Sequence, residues 1–77
     1  MICLFESKNY KIFNCSILDW LENNCLDKNI DLLEIIFIDS SLIIYKDKII
    51  YIENDYQYNI SNIEELKLRI KMIKNIK

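Results

Sequence analysis

Apolar and polar positions divide the chain into short runs with two different periods. Residues 1–6 and 10–14 are short apolar and aromatic stretches separated by Ser7-Lys8-Asn9, and they predict a hairpin. Residues 31–38, 41–46 and 48–53 are isoleucine-, leucine- and tyrosine-rich runs of strand length, and they predict three consecutive strands in a meander. Positions 35–38 are apolar without interruption, which predicts a central strand covered on both faces. The polar clusters between runs, Asp27-Lys28-Asn29, Asp39-Ser40-Ser41, Lys46-Asp47-Lys48 and Asn54-Asp55, supply the turns.

Two segments repeat at helical spacing instead. After Ser16, an N-cap residue, Ile17, Leu18, Leu21 and Cys25 share one face with Trp20 beside them. Ser61-Asn62-Ile63-Glu64 has the form of a capping box opening a second helix, with Glu64 and Glu65 in its first turn and Lys71, Lys74 and Lys77 toward its end, where each charge suits the helix dipole. The predicted order is ββαβββα, an α+β domain over 1–77. It has a mainly antiparallel sheet of about five strands and two helices packed on it in two layers.

The last helix carries two apolar stripes. At about 100° per residue, Ile63, Leu66, Ile70 and Ile73 form the stripe that a sheet would bury, and Leu68, Met72 and Ile76 form another on the far side. Scattered exposed aliphatics explain the second stripe in bland terms. A row of large aliphatics in so small a domain is also a solubility liability, and the reading favoured here is a contact surface with Met72 as its adaptable member. Trp20 is a further candidate anchor, although a lone tryptophan more often belongs to a core. Tyr56 and Tyr58, in a predicted loop 55–59, form a recognition patch or close the end of the sheet.

At 77 residues and 52% hydrophobic content the chain has room for one core, and folding buries only about 60% of the unfolded surface. Gly, Pro and His are absent, and Ala, Val and Thr are missing too, whereas Ile, Asn and Lys abound. This is the usage of an AT-rich genome. The three cysteines show no CxxC spacing and no secretory leader precedes them, which predicts reduced thiols, buried as small hydrophobes, in a cytoplasmic protein. No apolar run approaches the ~20 residues that span a bilayer.

The composition weighs against several chemistries. There is no imidazole to act as general base or to activate Cys3, Cys15 or Cys25. There is no glycine loop to cradle a phosphate, and no spacing of cysteines suits a structural metal. The expectation is a protein without cofactor, metal or catalytic activity.

Charge is uneven. Residues 61–77 hold five basic and two acidic groups, net +3, while residues 1–60 hold five basic and ten acidic groups, net −5. A basic helix bearing Lys67, Lys71, Lys74 and Lys77, with sheet tyrosines to stack bases, is the nucleic-acid alternative. A single arginine and an acidic body argue against it.

By elimination the chain is expected to be a non-enzymatic protein-interaction module. Its surface would be Leu68, Met72, Ile76, Tyr56, Tyr58 and Trp20, and its partner a host protein or a second copy of itself as a homodimer, away from membranes. Size and composition give the profile of phage or mobile-element products that bind and block host proteins, anti-CRISPR and other anti-defence proteins among them. A self-associating structural subunit is the remaining alternative.

Overall fold

The computed structural model describes residues 2–23, 31–46 and 48–75. Strands β1 (Cys3–Glu6) and β2 (Tyr10–Phe13) precede helix α1 (Ile17–Asn23). Strands β3 (Leu33–Ile36), β4 (Ser41–Tyr45), β5 (Lys48–Glu53) and β6 (Tyr56–Ile60) follow, and helix α2 (Ile63–Asn75) ends the described chain. The predicted α+β class and two helices are present, but the sheet has six strands and is mixed, in the order β1-β2-β3-β4-β5-β6.

The additional strand is β6. Residues 55–59, expected as a loop, pair with β5 from Glu53↔Tyr56 to Ile49↔Ile60. The turn that permits this is Asn54-Asp55, with φ of 51° and 67°. Two positive φ values in a two-residue hairpin are the signature of a type I′ turn, whose twist matches that of the strands. In a chain without glycine, Asn and Asp are the residues that enter this region most readily. Lys46, at φ 53°, does the same between β4 and β5.

The sheet is mixed because α1 carries the chain from the end of β2 back to the start of β3. These strands therefore run parallel, with Tyr10 beside Glu34 and Ile12 beside Ile36. Every other pairing is antiparallel.

The helix starts follow their caps. The Asp19 amide donates to Ser16 Oγ at 3.3 Å, as the sequence suggests for α1. For α2 the box lies one residue further on than expected. The Glu65 amide donates to Asn62 Oδ1 at 2.9 Å, and Glu65 Oε2 accepts from the Ser61 amide at 2.8 Å. Asn62, not Ser61, is thus the N-cap. Asn and Ser are comparable caps, and the pairs Ser61/Glu64 and Asn62/Glu65 both satisfy the spacing.

Both helices cover one face of the sheet. Leu33, Ile44, Ile49 and Ile60 form one cross-strand row on that face, and Ile35, Leu42, Tyr51 and Tyr58 form the next. Ile17, Trp20 and Leu21 of α1 and Leu66 and Ile70 of α2 join these rows in one cluster with Cys15 and Phe37. Phe13, Trp20 and Phe37 meet with ring centroids 5.5–6.3 Å apart.

The other face differs from expectation. Ile36 points there and is only half-buried, so β3 is central in the sheet but covered on one side among the described residues. Cys25 and Ile76, placed on helical stripes by their spacing, lie outside the described residues.

Candidate functional site

Three surfaces stand out, and each follows from the layering. The first is the outer crest of α2. With Leu66 and Ile70 turned to the sheet, positions about 180° away face outward. Leu68 is 60% exposed and Met72 52% exposed. Ile76 and Lys77, the remaining predicted members of this helix's two surfaces, lie outside the described residues.

One flank of α2 faces β6, where the Arg69 guanidinium lies 5.8 Å from the Tyr58 ring centroid. Tyr58 is half-buried and stacks on the fully buried Tyr51 at 5.9 Å. Tyr56 stands on the same face of β6 two residues earlier and is 68% exposed. Leu68, Met72 and Tyr56 are thus exposed, whereas Tyr58 is largely committed to the fold. Trp20, at 6% exposure, belongs to the core, so it is not available to a partner at the surface.

The second surface is the opposite flank of α2. Lys67 and Lys71 line a shallow groove with Leu18, Leu21 and Glu22 of α1. Lys74 is held elsewhere: its ammonium donates to Asp39 Oδ2. Asp39 Oδ1 accepts from the Ile17 amide at 3.3 Å and from Ser40 Oγ at 3.0 Å. One carboxylate thus ties the β3–β4 connection to the start of α1 and the end of α2. Burial pushes the Asp39 carboxyl up, but the Lys74 ammonium, the Ile17 amide and the Ser40 hydroxyl outweigh it and hold the group below its ordinary value. Asp39, in a cluster expected from the sequence to supply a turn, accepts from the backbone of Ile17 and adds an ion pair that spacing alone does not reveal. The basic flank is accordingly reduced, among the described residues, to Lys67 and Lys71 beside an acid.

The third surface escaped the sequence reading. On the side of the sheet opposite the helices, which no described element covers, Ile12, Ile36, Ile43, Ile50 and Ile52 stand on four adjacent strands, all half-buried. Phe5 and Tyr10 extend the field toward β1, their ring centroids 6.0 Å apart. Tyr45, 43% exposed with the Lys46 ammonium 5.2 Å from its ring, borders it at the other end. Ser41, Gln57 and Asn59 are the uncharged polar members. The sequence carries a signal for it: the strands alternate at period 2, and isoleucine recurs in the second set of residues as well, with Glu34 and Lys48 its charged members on β3 and β5.

The chemical groups are sparse. Among the described residues no three of Cys, Asp and Glu gather as they would around a metal. Cys15 is buried, and burial pushes its thiol up; Cys3 is exposed on β1, contrary to the expectation that all three cysteines lie inside. Tyr51 donates its hydroxyl to Glu53, and burial followed by that bond raises its phenol above the ordinary tyrosine value. No described helix is long and apolar enough to cross a membrane.

Comparison with known proteins adds no relative: no protein family, no curated protein and no solved structure matches this chain.

Proposed function

We propose that this chain is a non-enzymatic protein-interaction module that works by covering a surface of its partner. The observation that supports the reading is the outer crest of α2, where the large side chains of Leu68 and Met72 stand exposed, as does Tyr56 on β6. Aromatic and methionine side chains are enriched in interface cores, and the folded body beneath them already buries its own apolar stripe through Leu66 and Ile70. The mechanism is occlusion. The crest docks, the ordered sheet behind it keeps its geometry, and the partner's working surface is blocked. Size and composition favour a phage or mobile-element inhibitor of a host protein within that class.

The test compares capture of partners from a host lysate by wild type and by Leu68→Asp combined with Met72→Asp, under matched circular dichroism. Loss of one stoichiometric partner in the double variant supports the reading. Undiminished capture by the double variant refutes it. Capture that instead disappears steeply as salt rises and recovers with added nucleic acid assigns the role to phosphate contacts.

A further inference from the structure

We propose that the face of the sheet opposite the helices, open among the described residues, is a self-association surface, on which a second copy of this chain docks face to face to give a four-layer α/β/β/α dimer. The inference goes beyond the partner-binding role of α2 and uses none of its residues.

The face is suited to its own copy in three respects. First, it is apolar where sheets interdigitate: Ile36, Ile43, Ile50 and Ile52 lie on three neighbouring strands, with Ile12 beside them. Isoleucine ridges of one sheet fill the furrows of another at about 10 Å separation.

Second, its charges complement themselves. The strands contribute one acid and one base to this face, Glu34 and Lys48. Glu34 is opposite Ile43, Ile43 is opposite Ile50, and Lys48 precedes Ile50 by two residues. The two groups therefore stand two strands and two residues apart, roughly 12 Å, too far to pair within one chain, and neither enters an ion pair among the described residues. A two-fold axis in the plane of the face, passing between them beside Ile43, lays each glutamate on the other copy's lysine. Both charges are satisfied twice by one operation, as an isologous interface requires. The same axis brings Ile43 and Ile50 of the two copies together at the centre, with the sheets crossing steeply in the near-orthogonal class.

Third, the rim is polar: Ser41, Gln57 and Asn59 are uncharged, and Lys46, its ammonium over the Tyr45 ring, stands at the border, where water still reaches it.

The area sets the strength. A sheet of this size presents roughly 500 Å² in plane, below the standard ~800 Å² per partner, so association is weak and depends on concentration. A chain short enough to be marginal alone gains most from such a partner.

Sedimentation equilibrium, from low micromolar to near-millimolar concentration, tests the proposal with two charge variants. Wild type should show a monomer–dimer equilibrium. Glu34→Lys alone and Lys48→Glu alone should each weaken it by about tenfold or more, because each places like charges in contact. An equimolar mixture of the two single variants should form a heterodimer at least as tight as the wild-type dimer. The double variant, Glu34→Lys with Lys48→Glu, should recover the homodimer. A structural role for either residue within its own chain cannot yield recovery by mixing. A wild type that stays monomeric throughout, assembly into open filaments through the strand edges, or single variants that associate unchanged would each overturn the proposal. Retained partner capture by any of these variants separates this outcome from that of the α2 crest.

Discussion

Replacing Asp39 by Asn probes the one carboxylate that joins three parts of the fold. The substitution keeps the shape and leaves an oxygen to accept from the Ile17 amide and the Ser40 hydroxyl, but removes the charge. A hydrogen bond to an ionised group contributes about 1.5–3 kcal/mol where a neutral one gives about 0.5–1.5, so the Ile17 contact should weaken by about 1 kcal/mol. The ion pair with Lys74 is partly open to water, its side chains 33% and 21% exposed, and is discounted to about 0.5–1 kcal/mol. The expected loss is about 2 kcal/mol, or roughly 8–16 °C in Tm for a domain of this length.

Urea unfolding followed by the fluorescence of Trp20, the sole tryptophan and a core residue, measures it directly. The pH dependence has a fixed sign. The Asp39 carboxyl is lowered in the folded protein, so its contribution is present above the unfolded value of about 3.9 and is lost as pH falls through the lower folded value. The gap between wild type and Asp39→Asn should therefore stay constant near neutrality and close only in acid below about pH 4. A gap under about 0.5 kcal/mol at pH 7, or one that widens on acidification, would refute the role assigned to this side chain.

Asp55→Gly places Asn-Gly at the β5–β6 turn, where both central φ angles are positive. Relief of the left-handed strain should exceed the added freedom of the unfolded chain, for a gain of about 0.5–1 kcal/mol, read as a raised urea midpoint at unchanged slope. Thiol labelling should modify Cys3 within the native protein far faster than Cys15, which is buried with a raised pKa. Mass spectrometry of tryptic peptides assigns the sites, and equal rates would show that the core around Cys15 opens readily.

Much of this architecture can be read in the chain where one signal dominates. The stripe of Ile63, Leu66, Ile70 and Ile73 has no competing period, and it lies against the sheet. β6 is hard to read from the sequence because Tyr56-Gln57-Tyr58-Asn59 carries polar side chains at every second position and so resembles a loop. Its alternation, together with the Asn54-Asp55 turn, is the signal of an edge strand with one wet face. The cap of α2 was misplaced by one residue because two overlapping boxes satisfy the same spacing. The isoleucine face is not legible from the pattern, because apolar positions on both sides of a strand also fit a strand covered on both sides. Which side each helix takes is a long-range fact, and here both take the same one. Asp39 was legible as a turn residue, but its tie to Lys74 spans 35 positions, and nothing in local pattern encodes that.

The parallel seam between β2 and β3 also orders events in time. From Leu33 to Asn75 every neighbour in the sheet is a neighbour in sequence, and α2 folds back on the strand that precedes it. That half can assemble by closing short loops, which is fast. The N-terminal hairpin must wait for a closure that spans α1 and the segment after it, and it docks on a template already formed. Substitutions in β1 should therefore leave the folding rate nearly untouched and accelerate unfolding instead, whereas those in β4 and β5 should slow folding. Stopped-flow traces of the Trp20 signal separate the two, and a β1 variant that slows folding in proportion to its lost stability would reverse the order.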